Sequence, residues 1–560
     1  MKNIFFKILG CTLLVALIGC TKDLDLSPMD TISDASFWKT PADFQKGANT
    51  LYAALSGFEN FDVDADIAFN NPNTISNSTH TTPENDNDWN NAYTRIRNCN
   101  NVMERAAASS IEDQIKVYVA EAKFFRAYNY WMLYRKFGGV PIVSRVLDIS
   151  SEELYSPRNT PQETVDFILQ NLAEAIPDLP ERDQLSAANM GRITKGAALA
   201  LRARVALYEG TWRKFRNESG ANDYLDIAIE ASNAVITSGK HTLYKGSDEL
   251  SYRLLFDEEG KDCTESILAR RYQSYVSAHS WPQSMQMNGL SPTKQLADMY
   301  LCMDGLPVEI SPLFEGYETR VSEFENRDPR MMQTIMIPGT EAYAPLMTGL
   351  YVHWPFYPDR VYNTGYIIWK YKCQNPLQDV PYNNQQQFDR HIIRYAEVLL
   401  IHAEATFERT GSVSDDVLNK TINVLRDRAG LTTPLTNAFV TENGLDMRAE
   451  IRRERTVELA IEGYRRDDLK RWKTAETELV KDIRGIKIVG TEWTEPIYVN
   501  DIEMNPYRQP SWQNRTDADG FLISEAASAR NGFDPNKHYR LPIPARQINL
   551  NPNLEQNPGW

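Results

Sequence analysis

The chain has 560 residues, 42% of them hydrophobic and 24% charged, and a net charge of −15. This is the composition of a globular protein with a real core, and the acidic excess argues against nucleic acid as a partner, because phosphate binding needs a basic surface. The seven histidines are scattered and the six cysteines contain no CxxC pair, so no zinc-ligand spacing is present.

The first twenty residues read MKNIFFKILGCTLLVALIGC. Lys2 and Lys7 precede an apolar run from Ile8 to Ile18, too short to span a bilayer, which takes roughly 20 residues, and suited to the core of a secretory signal. The run ends in Leu17-Ile18-Gly19-Cys20, a bacterial lipobox pattern. Residues 1–19 are therefore expected to be cut away. Cys20 is expected to carry the lipid, including palmitate-type acyl chains, and residues 20–36 to be the tether. Several acyl chains on one cysteine exceed the two lipid signals that stable anchoring needs.

The predicted elements follow. Thr40-Pro41 is an N-cap and first-turn pair opening a helix over Ala42 to Phe58. Residues 59–88 are rich in Asn, Asp, Thr and Pro and read as a long loop. Two paired helices are predicted between Trp89 and Phe137, stopped by Gly138-Gly139 and Pro141. Further helices are predicted over Thr160 to Ile176, Thr194 to Tyr208 and Tyr224 to Ser238, then His391 to Arg409, Asp415 to Ala429 and Asp446 to Trp472. Small residues in Gly196 to Tyr208 suit a closely packed arm. Residues 240–390 and 475–560 lose periodicity, and only short runs such as Tyr366 to Tyr371 look like strands. The expected architecture is mainly α: tetratricopeptide-like helix pairs over about 40–240 and 390–475, a loop-rich binding region over about 240–390 and an irregular segment over 475–560, within one large domain spanning 37–560.

HExxH, GxSxG, Walker and GxGxxG motifs are absent from the sequence. Glu450, Glu454, Glu458 and Glu462 recur every fourth residue among Arg452, Arg453, Arg455, Arg465 and Arg466. They read as an ion-pair lattice rather than a catalytic or anion site, with Glu397 and Glu404 as further members. No cofactor is expected. Asp62, Asp64 and Asp66, and Glu84, Asp86 and Asp88, alternate as calcium ligands do, but without the glycine and terminal glutamate of an EF-hand loop; a solvated acidic loop is the plainer reading. Cys99, Cys263, Cys302 and Cys373 read mostly as buried thiols, with a disulfide left open.

Nine aromatic residues lie between Tyr343 and Tyr371. Prolines interrupt them, so one helix face cannot gather them. Trp281 and Tyr275 stand in a similar irregular stretch. Tyr and Trp rings offer a flat apolar face to sugar C–H groups while their polar tips stay wet. Tyr275, Trp281, Tyr343, Trp354 and Tyr357 are thus candidate ligand-stacking residues, with Trp89 as a further, more ambiguous one.

The ordered segments Phe37-Trp38-Lys39-Thr40-Pro41, Glu121-Ala-Lys-Phe-Phe-Arg-Ala-Tyr128, Phe137-Gly-Gly-Val-Pro141, Gly191-Arg-Ile-Thr194, Met303-Asp-Gly305, Arg327-Asp-Pro-Arg330, Arg394-Tyr-Ala-Glu397, Glu462-Gly-Tyr-Arg-Arg466 and Leu554 to Trp560 resemble the SusD/RagB family of outer-membrane nutrient-binding lipoproteins. The resemblance implies an α-rich, tetratricopeptide-like fold and a non-enzymatic role. It implies an outer-membrane, surface-facing location and a SusC-like TonB-dependent transporter as partner. The ligand would be an oligosaccharide or polysaccharide, with peptide capture or, less in keeping, glycoside hydrolysis as alternatives. Within such proteins Trp89, in Trp-x-x-x-Tyr, is often structural.

Overall fold

The computed structural model describes residues 37–246, 250–344, 350–353, 364–372, 385–494 and 515–560. The proposed signal, Cys20 and the tether lie outside the described residues, as do Cys373, Trp354 and Tyr357.

The helices start and stop where local chemistry dictates. α1 (Pro41–Leu51) opens on a capping box: Asp43 N–H donates to Thr40 Oγ1 at 3.3 Å and Thr40 N–H to Asp43 Oδ2 at 3.0 Å. It ends seven residues short of Phe58, passing into a 3-10 turn over Tyr52–Ala54. α2 (Asn87–Ala107) and α3 (Glu112–Phe137) form the first pair. α3 buries residues on every side, from Ile115 to Phe137, as the central helix of a bundle must. Glu112 and Asp113 stand at its start and Arg135 and Lys136 at its end, matching the helix dipole. Gly138 then turns the chain with φ 79°. α4 (Pro161–Ala175) begins on a second capping box, Thr160 with Glu163.

α5 (Lys195–Lys214) and α6 (Ala221–Ser238) are the tightest pair, as the small residues predicted. A Cβ on Gly210 would lie 2.9 Å from the Leu225 side chain. Gly139 is constrained differently, because its Cβ would fall 2.1 Å from the Asn159 carbonyl oxygen, which is backbone. Gly139→Ala is therefore expected to destabilise the fold by about 1–3 kcal/mol, read as a lower urea midpoint.

Four predicted boundaries are corrected. The segment from His391 begins as a strand: β1 (Ser266–Arg270) pairs antiparallel with β2 (Arg390–Arg394), and α8 (Tyr395–Thr410) starts only after it. The Asp415–Ala429 segment is broken at Thr421 (φ −125°, ψ −82°) into Asp415–Lys420 and Ile422–Ala429. The Asp446–Trp472 segment is two helices, α9 (Met447–Glu458) and α10 (Arg465–Arg471), because Ile461 and Gly463 turn left-handed. Tyr366 to Tyr371 forms no strand, only a bridge from Ile368 to Ile335, and its rings are core. Between β1 and β2 in the chain lies the short helix α7 (Trp281–Met287). Strand pairing among the described residues is all two-stranded and antiparallel.

One hydrophobic core lies among α2 to α6 and a second beneath the loop-rich part, built on Phe61, Tyr252, Trp281, Tyr366, Trp369 and Tyr371. The glutamates form an ion-pair lattice, but its buried cations, Arg330, Arg394, Arg426 and Arg428, come from other segments; of the arginines beside the series, Arg453 pairs with Glu450 (3.3 Å), whereas Arg455 binds Asp468, Arg465 binds Asp66 and Arg466 binds Asp64. Arg394 donates to Glu265 (2.9 Å), Glu458 (2.6 Å) and Glu462 (2.9 Å). Arg428 bridges Glu265 and Glu458, and Arg330 reaches Asp328, Glu454 and Glu458. Glu462 belongs to this lattice from the turn after α9, not from the helix. Glu397 and Glu404 stand apart from it: Glu397 pairs with Arg204, and Glu404 with Arg471 and the Trp472 indole. Among the described residues no helix is long and apolar enough to cross a membrane.

Candidate functional site

Two aromatic rings are exposed among the described residues, Tyr275 (85%) and Tyr155 (56%). Tyr275 sits on a loop between β1 and α7. Its backbone is left-handed, φ 61°, an unfavourable state for a side chain of this kind. Val276 beside it is also exposed.

The loop rests on a packed aromatic floor. Phe58 is its centre, stacked on Trp281 (5.6 Å, 13° between planes) and Tyr272 (5.7 Å, 25°) and touching His279, Tyr371, Phe388 and Phe61. His279 ties the C-terminal end of the loop to the segment around Phe388: its Nε2 lies 3.1 Å from the Phe388 carbonyl oxygen, while Nδ1 accepts the Trp281 N–H at 3.1 Å. The proton therefore resides on Nε2. Burial pushes this imidazole down to about 4, so it stays neutral. Polar side chains border the loop: Gln385 and Gln387 accept from its backbone.

This arrangement divides the sequence candidates. Tyr275 is presented to solvent. Trp281 is not: only 4% exposed, its ring face is taken by Phe58. The expectation of an open indole there is corrected. The polar neighbours and adjoining proline that suggested exposure are outweighed by a partner ring from the distant 58–61 segment. Trp89, ambiguous in the sequence, fits the structural one of its two readings. It is 4% exposed in the first turn of α2, packed on Phe137 and Tyr93 at 5.2 Å. Tyr343 lies on the strand Glu341–Ala344, but its side chain, like Trp354 and Tyr357, lies outside the described residues. His279, Gln385 and Gln387 carried no signal in the sequence, because their roles come from contacts between two separate loops.

Trp89 and Tyr93 instead line a separate cavity of about 580 Å³ with Tyr155, Leu154 and Leu550. Most of its polar groups are already engaged: Tyr93 donates to the Pro141 carbonyl, Gln547 to Asn90, and Arg145 forks onto Glu153. A smaller cleft of about 330 Å³ holds Asp62 and Lys470. Asp62 accepts the Gly463 and Arg465 N–H groups, and burial lifts its carboxyl to about 7. Burial, with Arg466 and Arg540 nearby, lowers Lys470 to about 7.

Of the other acids proposed as calcium ligands, four are bound to cations, Asp64 to Arg466, Asp66 to Arg465, and Asp86 and Asp88 to Lys136, and Glu84 is exposed. The solvated-loop reading is corrected for Asp62 and Asp66, which are buried; Glu84 is exposed, and the side chains of Asp64 and Asp88 are 40% and 67% exposed. Cys99 and Cys302 are buried, Cys263 is half-buried, and all three are free thiols. Burial raises the Cys99 thiol to about 12 and Cys263 to about 11, so neither is a ready nucleophile.

Comparisons with known proteins agree across the chain. A family model described as the SusD family matches residues 260–560. A second, described as starch-binding associating with outer membrane, matches residues 42–207. A SusD-like protein of Formosa agariphila is 26% identical over 99% of both chains. The fold is similar to a crystal structure of a SusD-like protein from Bacteroides fragilis, with a TM-score of 0.73 and 25% identity over 95% of this chain and 100% of that one. It is also similar to a structure titled a laminarin-binding SusD-like protein, with a TM-score of 0.59 and 22% identity over 93% and 100% of the two chains.

Proposed function

The chain belongs to the SusD family, and from that we propose that it is a surface-exposed, lipid-anchored outer-membrane protein that captures oligosaccharides without altering them and passes them to a SusC-like TonB-dependent transporter. The observation that carries this reading is Tyr275. A large ring is held out to solvent over a rigid aromatic floor, in a strained backbone state, with amide side chains beside it. A strained residue persists only where the surroundings over-determine it, and such residues cluster at binding sites. A ring face with polar companions is the chemistry that reads a sugar. Support comes from the model description naming starch binding and the outer membrane, and from the laminarin-binding title of a similar fold. The Leu17–Cys20 pattern supports the anchor.

Calorimetry with laminarin and with soluble starch tests the reading. Tyr275→Ala is expected to weaken binding of the recognised glycan by about 1–1.5 kcal/mol, roughly tenfold, with folding unchanged because the ring buries little. Unchanged affinity would remove Tyr275 from the site. Co-purifying peptides with no glycan binding would replace saccharide by peptide as the ligand. Labelled palmitate incorporation that survives Cys20→Ala would overturn the anchor.

A further inference from the structure

The loop carrying Tyr275 is tied down by a short segment from elsewhere in the chain. The Tyr275 N–H donates to Gln385 Oε1 at 2.6 Å, and the Ser274 hydroxyl donates to the same oxygen at 3.4 Å. The Ser274 N–H donates to Gln387 Oε1 at 3.3 Å. Val276 and Ser277 donate locally to the Gln273 carbonyl, and at the start of the loop the Tyr272 N–H donates to Asp389 Oδ1 at 3.0 Å. The glutamine segment is itself rigidly mounted. Gln386 and His279 exchange both backbone hydrogen bonds at 3.1 Å, and Lys261 Nζ donates to the Gln387 carbonyl at 3.0 Å and the Tyr272 carbonyl at 2.7 Å.

A tyrosine at φ 61° relaxes to a right-handed or extended state unless something opposes it. The Phe58 floor fixes Tyr272, His279 and Trp281 on either side of the loop, but the amide of Tyr275 itself is held by a side-chain acceptor.

We propose that Gln385, assisted by Gln387, is the positioning residue of this site: its amide carbonyl clamps the Tyr275 N–H and keeps the ring turned outward for ligand. The role needs an acceptor on a side chain of this length. A leucine fills the same space with no acceptor, whereas a glutamate supplies one. The inference rests on Tyr275 being the ligand-facing ring, yet the clamp has a readout of its own.

Hydrogen exchange of the peptide covering residues 273–279 is measured first, in the intact protein. Gln385→Leu is expected to speed exchange at the Tyr275 amide at least tenfold, and Gln385→Glu to hold it within twofold of the parent. Laminarin is the binding probe. Gln385→Leu is expected to lose most of the roughly tenfold affinity that Tyr275→Ala loses. The double variant is expected to bind no more weakly than Tyr275→Ala alone, since both changes remove one interaction. Unchanged exchange in Gln385→Leu overturns the clamp whatever the glycan does. So does parental laminarin affinity in Gln385→Leu when Tyr275→Ala is weakened. Parental affinity in Tyr275→Ala sinks the ligand reading instead, and exchange alone then judges the clamp.

Discussion

Glu458→Ala is expected to lower the unfolding free energy by about 3–5 kcal/mol, the cost of breaking a buried ion pair from one side. Glu458 is fully buried and accepts from Arg394, Arg428 and Arg330. Those three guanidiniums hold its carboxyl far below the usual carboxylate range, against the desolvation that opposes it. Without it they remain buried with too few acids, since Glu265, Glu454 and Glu462 are already shared among Arg394, Arg428, Arg330, Arg426 and Lys370. The exposed pair Lys420–Asp416, at 68% and 72% side-chain exposure, is the control. Lys420→Ala is expected to change stability by no more than about 0.5 kcal/mol. Urea unfolding followed by circular dichroism separates the two. Equal midpoints for Glu458→Ala and the parent would mean that solvent reaches the lattice.

The second large effect is acid lability. Arg471, Arg455 and the Trp472 indole hold Glu404 down to about 2 despite its burial, whereas an unfolded glutamate titrates near about 4.3. Its folded pKa is depressed, so its contribution is present above about pH 4.3 and lost as pH falls toward about 2. Between those values the unfolded chain binds the extra proton. The loss comes to about 3 kcal/mol for this group, and Glu458 moves in the same direction.

Asp62 acts in a different window. Its folded pKa of about 7 makes stability fall as pH rises from about 4 to 7, and it adds no slope below that. The limb between pH 4 and 2 therefore belongs to buried carboxylates paired with arginine, such as Glu404 and Glu458. Urea midpoints across pH 2–5 are expected to fall steeply, and Glu404→Gln to show a shallower fall. An identical slope in that variant would sink the assignment.

Much of the scaffold was legible locally. Thr40-Pro41 and Thr160-Pro161 announce helix starts, and Gly138 announces an end, because caps satisfy backbone groups within a few residues of themselves. The glutamate series showed the opposite. Its four-residue spacing continues through Glu462, although the helix stops at Glu458. Periodicity cannot register that the Glu462 carboxylate is drawn to Arg394 and Lys370, or that Asp62 captures the Gly463 N–H. The strand at Arg390–Arg394 escaped notice for a related reason: its partner, Ser266–Arg270, lies far away in sequence.

The candidate site was half legible. Residue type and irregular context brought Tyr275 and Trp281 forward together, and the one local difference, Pro282 beside Trp281, pointed to the wrong ring. Phe58 does, by covering Trp281 and leaving Tyr275 open.

By itself the sequence determined the helix-paired class, the family and the presence of an ion-pair lattice. Each is written in short-range spacing, caps and ordered motifs. The tertiary structure alone decided which ring faces water, which cation neutralises each acid and what holds the Tyr275 loop. Burial and ion pairing are set by groups that meet only after the chain has folded, and free energies of several kcal/mol depend on which ones meet.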